Sequence, residues 1–137
     1  MNTIVANQTK FIETIGQFEE WHDIWSYLIT QGNRLPAECP KSLLPHQIKS
    51  CISRTHFDAW IEGDNLRVAG WSNSAVMRGI IVSIIEMFDM TPAIDLEEPD
   101  IIFFHTESGM IDNMTPLRRA SLIEIAWRIT VLYGSIS

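Results

Sequence analysis

The 137-residue chain is 46% hydrophobic and 20% charged, a balance that fits one compact folded domain of ordinary size and excludes disordered and fibrous classes. Ten Lys and Arg against seventeen Asp and Glu give a net charge of −7, which repels phosphate backbones and anionic lipid; nucleic acid and membrane surfaces are excluded as partners, and a basic patch on a protein is favoured. The opening MNTIVANQTK lacks the parts of a signal peptide, and the apolar run Gly79–Phe88 is too short to cross a bilayer, so a cytoplasmic location is expected.

In chain order, residues 8–31 carry helical periodicity, broken near Gly16 into two helices. The second bears an aromatic stripe, Phe18, Trp21, Ile24, Trp25 and Leu28, which reads as core packing, and Gly32 is expected to end it. A connection from Asn33 to Ser50, marked by Pro36, Pro40 and Pro45, follows; connections this long inside compact domains are often functional.

Residues 55–61 alternate as a strand, with Phe57, Ala59 and Ile61 on one face. EGDN is a turn, and Leu66, Val68 and Gly70 continue the apolar face in a second strand. A two-residue turn at Gly63 and Asp64 sets Trp60 opposite Arg67, within reach of a cation–π contact. Ser72 is expected to cap a buried helix running to about Asp89, on which Gly79 and Ser83 offer a small strip for close approach. MTP occurs at 90–92 and again at 114–116, each time placing threonine as an N-cap and proline as a first helical residue. The segment between them is expected to form a short helical turn plus loop. In the final helix, from Pro116 to Tyr133, Arg118 stands in the first turn, where the helix dipole disfavours cations. It also shares a stripe with Leu122, Ile125 and Ile129, so it is expected to reach a partner or the edge of a site. Glu124 and Arg128 read as an ordinary i,i+4 surface pair.

Two cysteines, Cys39 and Cys51, are present. They lack C-x-x-C spacing, and His46, Cys51 and His56 match no metal-ligand pattern, so no metal is expected. Between Glu38 and Asp58 there is no carboxylate, while Lys41, Lys49 and Arg54 are present. Nearby cations favour the thiolate, the nucleophilic form of cysteine. On composition alone two readings of Cys51 stay open, a reactive thiolate and a small buried hydrophobe. His46, His56 or His105 offers a base for hydrolase chemistry, but no nucleophile elbow frames Cys51. Cys39, the only resolving cysteine available for redox chemistry, lies twelve residues away. A lone thiol suits accepting a group from another protein and passing it on.

From about Trp21 to Ile129 the chain resembles the SufE family. WHDIWSYLITQGNRLP resembles its N-terminal helix and Gly-x-x-Leu-Pro exit, here Gly32, Leu35 and Pro36. IKSCISRTHFDAWI lies where the family has its Gly-Cys-x-Ser loop and following strand, with Cys51 on the acceptor cysteine and Ser53 on the serine. WSNSAVMRGIIVSII lies where the family has Ser-Asp-Ala and its central helix, and MTPLRRAS is similar to the Leu-Ser/Thr-Pro-x-Arg motif, with Arg118 on the arginine. Three positions depart from the pattern: Ser50 replaces a glycine, Ile52 a polar residue and Asn73 an aspartate.

The resemblance implies a single α+β domain over 1–137, a small antiparallel β-sheet packed against helices, as in SufE and the IscU-type scaffolds. It implies sulfur acceptance on Cys51 from a cysteine desulfurase, for iron–sulfur cluster assembly, with an Fe–S scaffold complex as a recipient. Arg118 is expected to orient the loop or stabilise its charge, and Lys49, Ser53, Arg54 and Asn73 to support the site or the partner contact. No cofactor is required of this chain, since the pyridoxal phosphate belongs to the donor. A cluster held by three cysteines is beyond a chain with two. The alternatives are a SufE-like interaction module that binds a desulfurase or another protein without carrying sulfur, and a thiol redox protein using Cys39 and Cys51.

Overall fold

The structure is a computed structural model that describes residues 2–50, 53–97 and 107–136. Two helices open the chain. The first, α1 (Thr3–Ile15), starts earlier than the periodicity indicates because Asn2 caps it, accepting a hydrogen bond from the Val5 N–H at 3.1 Å. It buries Ile4, Gln8, Phe11 and Ile15, one per turn, and stops at Gly16. The second, α2 (Trp21–Gly32), buries Ile24 and Leu28, with Trp21 and Trp25 partly covered; Phe18 precedes it and packs tilted against Tyr27, with ring centroids 5.5 Å apart.

The expected hairpin is present. Strands β1 (Thr55–Glu62) and β2 (Asn65–Ser72) pair antiparallel around Gly63 and Asp64, and Gly63 takes the positive φ that such a turn needs. Trp60 pairs with Arg67, whose guanidinium lies 5.6 Å from the indole centroid. A two-residue strand β3 (Thr91–Pro92) joins the far side of β2, giving the order β1-β2-β3. The first MTP phrase therefore closes a sheet edge and does not open an α-helix. Proline is tolerated there because an edge strand can spare its N–H.

Helix α3 (Ala75–Phe88) packs between β2 and α2 and is buried over most of its girth. Its N-cap is Ser74, whose hydroxyl accepts from the Met77 N–H, and not Ser72. Ser72 remains in β2 with its buried Oγ 2.8 Å from that of Thr55. The Gly79 strip is a true close approach: a Cβ there would stand 2.3 Å from the Leu28 carbonyl oxygen. Gly32 answers the same contact, since its Cβ would lie 2.9 Å from the Gly79 nitrogen, and its neighbour Asn33 stays right-handed. The helix does end at Gly32 as expected, without a left-handed residue, and the glycine also serves helix–helix packing.

The last helix, α4 (Pro116–Ile136), lies against β1. Thr115 accepts from the Arg118 N–H at 3.4 Å, as the second MTP phrase implies. Leu122, Ile125 and Ile129 are buried in the core that also takes Phe57, Val68, Ile80 and Ile84. Helices packed against an antiparallel sheet make this an α+β fold. Among the described residues no helix is long and apolar enough to cross a membrane. In the segment between the two MTP phrases, residues 107–113 form a turn and a 3-10 helix, Ile111–Asn113; residues 98–106 lie outside those described.

Arg78, which carries no signal in the sequence, holds the connection after α2. Its guanidinium donates to the carbonyls of Gly32, Leu35, Pro36 and Ser72 at 2.6–3.2 Å. Arg78→Ala is expected to lower stability by roughly 1.5–3 kcal/mol, the range for hydrogen bonds to a charged group, measured as a fall in the denaturant midpoint. Arg78→Lys should recover only a part, because an ammonium cannot serve four carbonyls in a plane.

Candidate functional site

The connection into Cys51 is a built element. Residues 46–48 run along the open edge of β1, with the Ile48 N–H donating to Thr55 O at 2.8 Å and the Phe57 N–H to His46 O at 2.9 Å. Helix α4 then fixes this edge through two side chains. Arg128 donates to the carbonyls of His46 (3.1 Å), Gln47 (2.8 Å) and Phe57. Glu124 accepts from the backbone N–H groups of Lys49 (3.3 Å) and Ser50 (3.1 Å) and from the Ser50 hydroxyl (2.6 Å), whose Oγ is also 3.3 Å from Ala120 O. Glu124 and Arg128 do meet as the i,i+4 pair expected, at 3.3 Å. Their main partners, though, are backbone groups some seventy to eighty residues earlier, which helical spacing cannot reveal.

This changes the electrostatics inferred from sequence. The window around Cys51 is free of carboxylates along the chain, yet folding brings Glu124 onto Lys49 and Ser50. Partial burial alone would raise the Glu124 carboxyl. Hydrogen bonds from the Ser50 hydroxyl and N–H and from the Lys49 N–H, with the Arg128 charge, outweigh it and hold the group below its ordinary 4.5. A carboxyl depressed in the folded state contributes stability that is present above its unfolded pKa and is lost as pH falls through the folded value. Glu124→Gln is therefore expected to destabilise the protein by roughly 1 kcal/mol near neutrality. The difference in Tm between parent and variant should shrink below about pH 4, and thermal melts across pH check both statements.

The far side of the loop is held by Asn73. Its Oδ1 accepts from the Arg54 N–H at 3.1 Å, and its own N–H donates to Arg54 O at 3.0 Å. The Arg54 side chain is exposed and lies 5.0 Å from the Trp71 ring centroid. Trp71 in turn donates its indole N–H to Pro36 O at 2.9 Å.

Two of the residues singled out in the sequence share a cavity. Ser53 and Arg118 line one cavity of about 360 Å3, together with Ser74, Met77, Thr115, Leu117 and Ser121. Arg118 is half-buried, and among the described residues its side chain makes no hydrogen bond or ion pair, whereas Arg119 donates to Met114 O at 3.0 Å. A guanidinium at an apolar cavity edge is disposed to meet an anion. The Lys49 side chain is exposed, and the residue meets Glu124 through its backbone N–H. Cys51 and Ile52 lie outside the described residues, as does His105. His56 is buried with Nδ1 2.9 Å from Leu43 O, and His46 faces Asp58 at 3.5 Å. Among the described residues no three His, Cys, Asp or Glu side chains converge as metal ligands.

Comparison with known proteins gives a consistent result. The SufE family profile, described as an Fe-S metabolism associated domain, matches residues 9–132. An uncharacterized SufE-like protein of Rhizobium etli is 22% identical over 91% of this chain and 88% of its own length. One from Haemophilus influenzae is 24% identical over 86% of this chain and 95% of its own. The solution structure of a hypothetical protein from Thermus thermophilus has the same fold, with a TM-score of 0.66 over 93% of this chain and 96% of that one, at 14% identity.

Proposed function

The chain belongs to the SufE family, the Fe-S metabolism associated domain, and on that premise we propose that it takes persulfide sulfur from a cysteine desulfurase onto Cys51 and delivers it for iron–sulfur cluster assembly. Residues 1–137 act as one domain in this reading, in the cytoplasm, with an Fe–S scaffold complex as recipient. The Cys51 thiolate attacks the outer sulfur of the donor persulfide. A new S–S bond forms at Cys51, the donor's S–S bond breaks, and the donor cysteine leaves as a thiolate. The transferred sulfur keeps its proton or loses it to water. The exchange needs thiolate character and access, and no oxidant.

The observation that carries this reading is the shared cavity of Ser53 and Arg118, at a loop whose two ends are tied down by Glu124 and Asn73. Glu124 disfavours negative charge beside Ser50, and its own charge is only partly met by Arg128. Arg118 is then the cation that offsets it for the thiolate and for the negative charge of the transfer, while Lys49 and Arg54 add solvent-screened support. The Ser50 hydroxyl, absent from the family glycine, supplies the shortest bond to Glu124.

The test is a mass measurement after incubation with a cysteine desulfurase and cysteine. One added sulfur atom on the Cys51 peptide, removed by a thiol reductant, is expected. No gain under conditions in which the desulfurase itself becomes persulfidated sinks the proposal. The same Glu124 carboxylate favours a second reading, an interaction module that binds a desulfurase without carrying sulfur. Undiminished binding by Cys51→Ala, with no persulfide on the parent chain, selects it.

A further inference from the structure

A second cavity, of about 280 Å3, opens between the turn joining α1 to α2 and residues Glu107 and Ser108. Its floor is apolar. Ile15 and Ile24 are buried beneath it, Phe18 and Trp21 are half-buried, and Ile12 is 38% exposed. Its rim carries Glu19, Glu20 and Glu107, all exposed, and none of the three forms an ion pair among the described residues.

Nothing along the chain near the groove neutralises that rim. Residues 11–33 hold four carboxylates and no Lys or Arg; residues 107–117 hold two more and again no Lys or Arg. Lys10 lines a different cavity, with Asn7, Thr14 and Glu86. Clustered carboxylates above a low-dielectric floor focus a negative potential and raise the local concentration of cations. The volume is slightly below the roughly 300–1,000 Å3 of small-molecule sites, so the groove suits one side chain of a larger partner. The occupant must bring apolar surface to Trp21 and Ile12 and positive charge to the rim. Lys and Arg satisfy both demands at the edges, laying their methylene stems on apolar surface while the charged heads stay in water.

We propose that this groove docks a basic segment of a protein partner, an apolar anchor residue on the floor with flanking Lys or Arg on Glu19, Glu20 and Glu107. Among the described residues the groove shares no lining residue with the Ser53–Arg118 cavity, so an anchor seated here does not itself fill that cavity. Docking of this kind does not depend on the sulfur-acceptor role.

The test titrates the full chain with a short labelled peptide, one leucine flanked by lysines, against the same peptide with glutamates for lysines. Binding of the lysine peptide only is expected, weakening as salt is added. Changing Glu19, Glu20 and Glu107 together to Lys should weaken it at least about tenfold, with circular dichroism confirming the fold and the Glu19→Lys, Glu20→Lys double variant serving if the triple one unfolds. Ile12→Gln should weaken the leucine peptide but not a version with serine in its place. Glu38→Lys with Asp64→Lys, both exposed and outside the groove, should leave affinity unchanged. An equal loss with that control pair, no binding by the parent chain, or full binding by folded charge-reversed protein overturns the proposal.

Discussion

Cys51→Ser is expected to reduce sulfur uptake from a cysteine desulfurase to the level seen without the protein, with no change in Tm. A serine hydroxyl stays protonated at neutral pH, and alkoxide is not available to attack sulfur, whereas a free thiol with an ordinary pKa of about 8.5 is already a few per cent thiolate. Cys39→Ser is the control. Cys39 is half-buried with its sulfur 3.6 Å from the Pro40 carbonyl, and uptake should be unaffected. Arg118→Ala should slow uptake and move the midpoint of its pH profile upward, because loss of a cation disfavours thiolate. Arg118→Lys should restore a part. The comparison is made by single-turnover persulfide transfer followed by mass analysis. If Cys51→Ser takes up sulfur as fast as the parent, the acceptor role falls.

The second large effect concerns stability and has the opposite sign from helix propensity. In an isolated helix, glycine to alanine gains about 1 kcal/mol. At Gly79 the new Cβ would meet Leu28 O at 2.3 Å and Leu28 C at 2.5 Å. Backbone atoms cannot rotate aside, so α2 and α3 must separate along the contact that also buries Leu28 and Ile80. Gly79→Ala is expected to cost about 3 kcal/mol or more, the upper end for overpacked cores, out of a total of only about 5–15 kcal/mol. Gly134→Ala makes the contrast. No atom lies within 4 Å of a Cβ built there, and stability should rise by a few tenths to about 1 kcal/mol. Denaturant melts of the two variants, run side by side, decide whether packing or propensity rules at Gly79.

What the sequence disclosed divides along local and non-local lines. The hairpin was legible because turn chemistry and alternation are local, and they set the Trp60–Arg67 register correctly. The Gly79 strip and the buried stripe of α4 were legible because helical spacing alone defines a face. Ser72 was misread as a cap since two serines precede α3 and only strand pairing with Thr55 decides between them. Gly32 marks the end of α2 as read, but its packing role is invisible without the opposing helix. Thr91 and Pro92 have the residue types of a helix start, but β2 claims them. At the candidate site Arg118 stood out by its placement on an apolar stripe, and Ser53 by the motif around Cys51. Arg78 and Glu124 gave no such sign, because most of their partners, main-chain carbonyls for Arg78 and the N–H groups and Ser50 hydroxyl of residues 49–50 for Glu124, lie far away along the chain.

The paired anchors on either side of Cys51 also set a leash. Cys51 is the next residue after Ser50, which Glu124 grips, so its Cα stays within about 3.8 Å of an immobilised neighbour. Arg54, gripped by Asn73, is only three residues further on. With both grips closed, chain connectivity leaves only residues 51–53 between two fixed points. Under the proposed acceptor role, a donor would then present its persulfide on an outstretched arm, or spend binding energy to pull Ser50 off α4. In that role the second case places a mechanical event, the parting of a serine from a glutamate, ahead of chemistry at sulfur.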